Sequence, residues 1–307
     1  MSTGDAFETE LGPVAQRYFG AGYRRSTIAL DTVEVEHVES GRAEAGATVV
    51  RATASLLHWH RSGAPRIAHV GTVDAIRIAA TVASVAVIAA GRAPAGRECE
   101  LLAVAVRAGA APDPGTGGVR VEAWLREPGD DAGDRHPVVC TVGALSVEVT
   151  LAGGAAPALP RSPAGRVAVE EVLGPREDRY FAEGFRRLTV TASSLSAAPD
   201  EAWCTFAVEP PEARPGVIEC LVVTSQLAQV ALYRAAGVRR EATGNLWMRR
   251  CSFTSAPGGV RDGVAGLRVA KFTRFQRSGV DQVSASVAVA AFPGWRGTAT
   301  LAFQVLG

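Results

Sequence analysis

Lysine is almost missing: Lys271 stands alone among 32 basic residues. Charge of either sign is also missing in excess, since the net charge is +1. A nucleic-acid binder usually carries a clear basic surplus, and that class is set aside. Cysteine is sparse and odd in number. Cys99, Cys140, Cys204, Cys220 and Cys251 are scattered, with no CxxC pair. A disulfide framework and a zinc site are therefore not expected, and buried thiols in a reducing cytoplasm are. No GxGxxG precedes a helix, and GxxxxGK[ST], GxSxG and HExxH are absent. Nucleotide-dependent chemistry and the common serine hydrolases lose their support, and no cofactor is expected. The N-terminus has neither the basic nor the apolar region of a secretory signal. The most membrane-like run, Ile78 to Ala90, is thirteen residues, too short to span a bilayer.

A long internal repeat is present. Residues 11–25 read LGPVAQRYFGAGYRR and residues 173–187 read LGPREDRYFAEGFRR, with nine of fifteen positions identical at a spacing of 162. A period of this size implies two copies of a whole domain. We expect copies over 1–152 and 169–307, joined by an Ala/Gly/Pro-rich linker over 153–168. Most of the chain reads as strand, because β-branched and apolar residues recur at period two. The expected strands are Thr27–His37, Ala47–Trp59, Glu98–Ala108, Val119–Arg126 and Val138–Leu151 in the first half. In the second they are Leu188–Leu195, Glu201–Val208, Asn245–Thr254, Leu267–Arg277, Gln282–Ala291 and Thr298–Leu306. Each half has one long helix, the first following Thr72 and the second following Thr224, with Thr as N-cap. The first helix is apolar almost all round, as a helix wrapped by protein is. An antiparallel sheet curled round one buried helix is the hotdog architecture. Two such units make an α+β double hotdog.

The residues that could do chemistry gather before the first helix. His69 precedes it and Asp74 lies in its first turn, a pair suited to proton transfer. Thr72 stands between them as a substrate contact. Asp74 could equally serve only as a cap, and His69 only satisfy a backbone group. Aligning the helix starts at Thr72 and Thr224 sets Gln226 opposite Asp74, with Gln229 and Tyr233 further along. An acid in one copy and an amide in the other would suit a single composite site. Trp247 and Met248 could line an apolar tunnel or pack a core. His58 and His60 share one face of a strand end, but no third ligand is evident, and no metal is expected. The RYFxxGxRR segments carry no nucleophile. They read as structural wedges, with phosphate binding by their arginines as the alternative.

On the LGPxxxRYFxxGxRR segments and HVGTVDA before an Ala/Val-rich helix, the chain resembles the bacterial avirulence D (AvrD) family over its whole length. The resemblance implies a cytoplasmic enzyme of secondary metabolism that makes syringolide-like products. It would join a β-ketoacyl group, delivered as a coenzyme A or carrier-protein thioester, to a small polyol such as a pentulose. His69, Thr72 and Asp74 match the site-like motif. The dehydratase pattern HxxxGxxxxP is absent, which favours acyl transfer over dehydration. The alternatives are a non-catalytic acyl-binding double hotdog and a hotdog dehydratase or thioesterase. A homodimer is compatible with either.

Overall fold

The computed structural model describes residues 5–39, 47–57, 69–109, 118–126, 134–153, 161–256 and 263–306. In chain order the elements begin with a short helix α1 (Glu8–Leu11). Strands β1 (Thr27–Ala29), β2 (Thr32–Val38) and β3 (Ala47–Leu57) lead into helix α2 (Thr72–Ala89). Then come β4 (Leu101–Arg107), β5 (Val119–Arg126), β6 (Arg135–Val142), β7 (Leu145–Ala152) and β8 (Gly165–Ala168). A short helix α3 (Val169–Leu173) precedes β9 (Thr189–Ala197) and β10 (Glu201–Glu209). Helix α4 (Val217–Ala236) is followed by β11 (Trp247–Ser255), β12 (Val264–Arg277), β13 (Val280–Ala291) and β14 (Trp295–Val305).

The chain divides into two compact units. One takes the described residues of 26–58 and 67–185, the other those of 1–25 and 186–307. In the first, the strands run β8-β2-β3-β5-β6-β7-β4, with β1 also on β3. In the second they run β11-β14-β13-β12-β10-β9. Read from the other edge, the second order is β9-β10-β12-β13-β14-β11. That is the order of β2-β3-β5-β6-β7-β4, with the long helix inserted at the same point of the chain. Neighbouring strands within each unit are antiparallel. Both units are hotdogs, and the chain is a double hotdog.

Each sheet wraps its helix because one face is apolar. β6 alternates exposed and buried along its length, and β7 begins the same way. Val138, Cys140, Val142, Val147 and Val149 are thereby turned inward. Each such burial stabilises by about 1.5–3 kcal/mol. Helix α2 is buried over 94% of its length, so it is a core helix although long and apolar enough to cross a membrane.

Three expectations are corrected. The strand expected over Val138–Leu151 is a hairpin, because Gly143 adopts φ +55° and turns the chain between β6 and β7. The strand expected over Thr27–His37 is broken after Ala29 into β1 and β2. Helix α4 starts at Val217, not after Thr224, and its N-cap is Gly216. Thr224 lies inside the helix, where its hydroxyl donates to the Cys220 carbonyl at 2.6 Å.

The copies also exchange their signature segments. Residues 173–185 pack in the unit of α2, and residues 11–25 in the unit of α4. Residues 165–168, expected as the end of a linker, form β8 against β2. The physical reason is burial of the wedge residues. Leu173, Phe181 and Phe185 are buried in the α2 unit, and Leu11 and Tyr23 in the α4 unit. The two segments fold alike. Tyr18–Phe19 and Tyr180–Phe181 meet edge to face, with ring centroids 5.1 and 4.9 Å apart. In each, one arginine carbonyl, that of Arg17 or Arg179, accepts three backbone N–H groups.

Candidate functional site

Gly71 and Gly216 are equivalent N-caps, both in extended backbone. Three residues on, a buried acid turns back to each: Asp74 Oδ2 accepts the Gly71 N–H at 3.3 Å, and Glu219 Oε2 the Gly216 N–H at 2.8 Å. The helix dipole favours both carboxylates there. The counterpart of Asp74 is therefore Glu219 and not Gln226. Gln226 is the tenth residue after its N-cap, and the tenth after Gly71 is Thr81.

In the α2 unit the acid has a cation beside it. Arg77 Nη1 lies 3.8 Å from Asp74 Oδ1. Arg77 also donates to the carbonyls of Phe181 (2.9 Å), Ser26 (3.2 Å) and Ala182 (2.8 Å), and stacks 4.4 Å over the Phe185 ring. A buried guanidinium with three carbonyls, a carboxylate and an aromatic face ties the signature segment to α2. Asp74 thus belongs to the packing of the helix start. His69 is half-buried two residues before the N-cap, and Thr72 is the first helical residue.

A recess of about 300 Å³, counting space open to solvent, lies further along α2. Arg77, Ile78 and Thr81 of the helix, Ile28 and Leu30, and Arg176, Arg179, Phe181 and Ala182 of the signature region line it. Arg179 is only 7% exposed, and its Nε has no hydrogen-bond partner among the described residues. Glu98 adjoins this wall. Its Oε2 accepts the Phe181 N–H at 3.1 Å, and Oε1 is buried without a hydrogen-bond partner among the described residues. Burial raises the Glu98 pKa above its ordinary value, against the lowering by the Phe181 N–H, the Arg179 charge and the Thr81 hydroxyl. Burial lowers the pKa of Arg179, with Glu98 opposing. A carboxyl with a raised pKa, a hydroxyl near it and a desolvated guanidinium can between them accept a proton and stabilise developing negative charge. Glu98 escaped the sequence reading because one of two acids in RECE, at the start of an expected strand, resembles any solvated strand-end residue; its burial comes from the signature segment, distant in sequence.

The remaining expected contacts lie in the α4 unit. Gln226 is buried, and its Oε1 accepts from Arg17 Nη1, whose other Nη bonds Asp5. Gln229 is half-buried. Tyr233 packs edge to face with Phe303 at 5.4 Å, a core role. Trp247 is half-buried on β11, opposite Ala302. Thr224 and Met248 line a second, shallow recess between α4 and its own sheet. Thr224, Gln226, Gln229, Tyr233 and Trp247 belong to a different unit from His69, Thr72 and Asp74. His58, Trp59 and His60 lie outside the described residues, and no metal-ligand cluster occurs among those described.

Among solved structures the chain is similar to a tesB protein of Mycobacterium avium subs paratuberculosis. They share 13% identity with TM-score 0.42, over 82% of this chain and 92% of that one. The acyl-CoA thioesterase II TesB2 from Mycobacterium marinum shares 10% identity with TM-score 0.39, over 89% and 95%. The dehydratase domain from the CurJ module of curacin polyketide synthase shares 11% identity with TM-score 0.35, over 89% and 96%. No curated protein matches the chain. The family model of the Pseudomonas avirulence D protein (AvrD) matches residues 3–305, essentially the whole sequence, and the chain belongs to that family.

Proposed function

We propose that the protein is an acyl-thioester enzyme that transfers a β-ketoacyl group to a hydroxyl of a small polyol, at the recess beside α2. The observation that carries this reading is the pairing there of Glu98, with its raised pKa, and the desolvated Arg179, beside an apolar wall of Ile28, Leu30, Ile78 and Phe181. Family membership supports an acyl-thioester enzyme in general. The step balances without a cofactor. The acceptor oxygen bonds the acyl carbon, the carbon–sulfur bond breaks, and the thiolate leaves. The hydroxyl proton passes through Thr81 to Glu98 and then to the departing sulfur. Arg179 faces the negative charge that develops on the acyl oxygen.

This reading moves the proton acceptor away from His69. Gly71 and Thr81 are ten residues apart on α2, about 15 Å at the helical rise of 1.5 Å per residue. A small polyol does not bridge that length. Asp74 is retained as the brace of the helix start.

Mass spectrometry of products, after mixing the protein with β-ketoacyl thioesters of coenzyme A or carrier protein and candidate pentuloses, tests the reaction. Glu98→Gln is expected to lower kcat by about 10²–10⁴, the usual worth of a general base. His69→Ala is expected to stay within a few-fold of the parent. The reverse pattern would return catalysis to His69.

A second reading has its own observation. Among the described residues, the recess of the α4 unit is lined without a titratable group. That suits an acyl-binding protein with no chemistry, and absence of any acyl product in the same assay would favour it.

A further inference from the structure

The net charge of +1 hides a strong segregation. Residues 245–307 carry eight basic and two acidic residues, against 24 and 29 in the rest of the chain. Strands β11, β14, β13 and β12 lie side by side in that order, and together they hold one acid, Asp281. Asp281 pairs with Arg274 at 2.8 Å, on the side of the sheet that buries Val283. The outer side of the four strands therefore has no acid. Register sets Arg268, Lys271 and Arg277 of β12 on it, with Arg250 of β11 and Arg296 of β14. All five are exposed. Arg268 has Glu201 of β10 at 3.8 Å, and no ion pair joins the other four to a described residue. The middle of this face is low. Lys271, Ser286, Thr300 and Arg250 form one row across the strands, and between the two cations the side chains are short and half-buried. Ser284 and Ala302 continue that floor in the next row, which ends on Trp247 of β11. The flanking strands β12 and β11 are three strand spacings apart, about 14 Å. The face is a trough with basic walls and a floor of small, mostly hydroxyl side chains.

We infer that this trough docks a partner protein through an acidic α-helix laid along the strands. A helix with its side chains is about 10–12 Å across, which fits the width. Acids three and four residues apart on such a helix reach both walls. Phe275, 38% exposed on β12, and Trp247 add the aromatic contacts on which interface energy concentrates. A second copy of the same face is disfavoured, because like charges would meet. A single-stranded nucleic acid stacks its bases on aromatic rings, and the floor has none. A flat bilayer would leave the recessed floor without contact. The trough uses no residue of the α2 unit and stands apart from acyl transfer.

From Arg268 to Arg277 β12 runs about 30 Å, the length of a helix of about 20 residues. The probe is a fluorescein-labelled helical peptide of that length, with glutamates at three- and four-residue spacing. Titrated with the full-length protein and read by anisotropy, it is expected to bind at low salt and to weaken about tenfold towards physiological salt. The same peptide with glutamine for glutamate should not bind. Lys271→Gln and Arg250→Gln should each weaken binding about two- to fivefold. Joint reversal, Lys271→Glu with Arg250→Glu, should remove it. Ser286→Tyr keeps every charge but fills the floor, and it should remove binding too. Arg120→Gln, on β5 of the α2 unit, should change nothing. Tm of the charge variants should stay near that of the parent, since the sites are exposed. No binding at low salt, or binding that survives the joint reversal, would overturn the site. Binding unaffected by a folded Ser286→Tyr protein would overturn the trough, and the joint reversal decides the matter if that variant does not fold. Tighter binding of a single-stranded oligonucleotide or of phosphatidylserine vesicles than of the peptide would overturn the helix as occupant. None of these results touches acyl transfer at the α2 unit, which is read by product formation.

Discussion

The α2 and α4 units share a strand order and a signature fold, yet they differ in the polar groups placed where signature meets helix. Asp74 has Arg77 beside it, six residues after the N-cap. At the same step of α4 stands Val222, and the aromatic signature residue is Tyr23 in place of Phe185. Tyr23 accepts from Arg24 Nε at 3.1 Å, and burial raises its pKa, with the Glu219 charge adding to that rise. Ten residues after the N-cap, Gln226 binds the signature arginine Arg17, whereas Thr81 lies in a recess with Arg179 and Glu98 nearby. The scaffold was kept while its charges were redistributed. The α4 unit met its signature arginine with Asp5 and an amide, and the α2 unit left its own facing a carboxyl without an ion pair between them. A recess with unfinished polar bonds is where chemistry is most economically placed.

Exchanging the helix residues separates the two designs most sharply. Arg77→Met should cost about 3–5 kcal/mol, since it strands Asp74 and the three carbonyls that Arg77 serves. Val222→Ala at the equivalent step should cost about 1–3 kcal/mol, a cavity and transfer loss only. Urea unfolding of both variants measures the difference. Equal losses would mean that the Arg77 network adds nothing beyond packing.

Much of this was legible. The repeat announced two copies, and the all-apolar run after Thr72 announced a wrapped helix. What escaped has physical causes. Gly216 caps α4 without a side chain, so the usual Ser, Thr, Asp or Asn signal is missing. The first turns of α4, VIECLVV, are β-branched and apolar and read equally as strand. Thr224 then looked like the cap, and Gln226 like the partner of Asp74. The exchange of signature segments cannot be read at all, because two near-identical wedges fit either helix on pattern alone. Glu98 was hidden for the same reason: the N–H it accepts belongs to Phe181, which the sequence assigns to the other copy.

The signature glycines sharpen the comparison at a smaller scale. Gly12 and Gly174 share one conformation, φ +76° and +78°. Their surroundings differ. A Cβ on Gly174 would meet the Gly96 carbonyl oxygen at 2.6 Å, whereas on Gly12 the nearest atom is Arg240 Nη1 at 3.7 Å. Gly12→Ala should therefore cost about 1 kcal/mol for backbone strain alone. Gly174→Ala carries the same strain plus a backbone clash, about 2–3 kcal/mol in all. Thermal unfolding should order the variants that way, and the reverse order would show that the two segments are not packed as described.

The smallest expected effect tests Glu98, where the α2 unit keeps a carboxyl near its signature arginine and the α4 unit has an amide. Burial raises the Glu98 pKa, so the native state holds its proton more tightly than the unfolded chain does. The stability this proton supplies is fully present below the unfolded value, near 4.5, and is lost as pH rises through the folded pKa. Glutamine copies the protonated carboxyl: its carbonyl can accept the Phe181 N–H, and it carries no charge to desolvate. Glu98→Gln should match the parent in Tm at pH 4 and exceed it at pH 8, while the activity loss described above appears at pH 8. A gain in stability with a loss in turnover is the signature of a group retained for chemistry. A Tm difference that stays flat with pH would mean that the Glu98 carboxyl titrates alike in folded and unfolded chains. The α2 recess would then have no claim over its α4 counterpart as the place where a proton is moved.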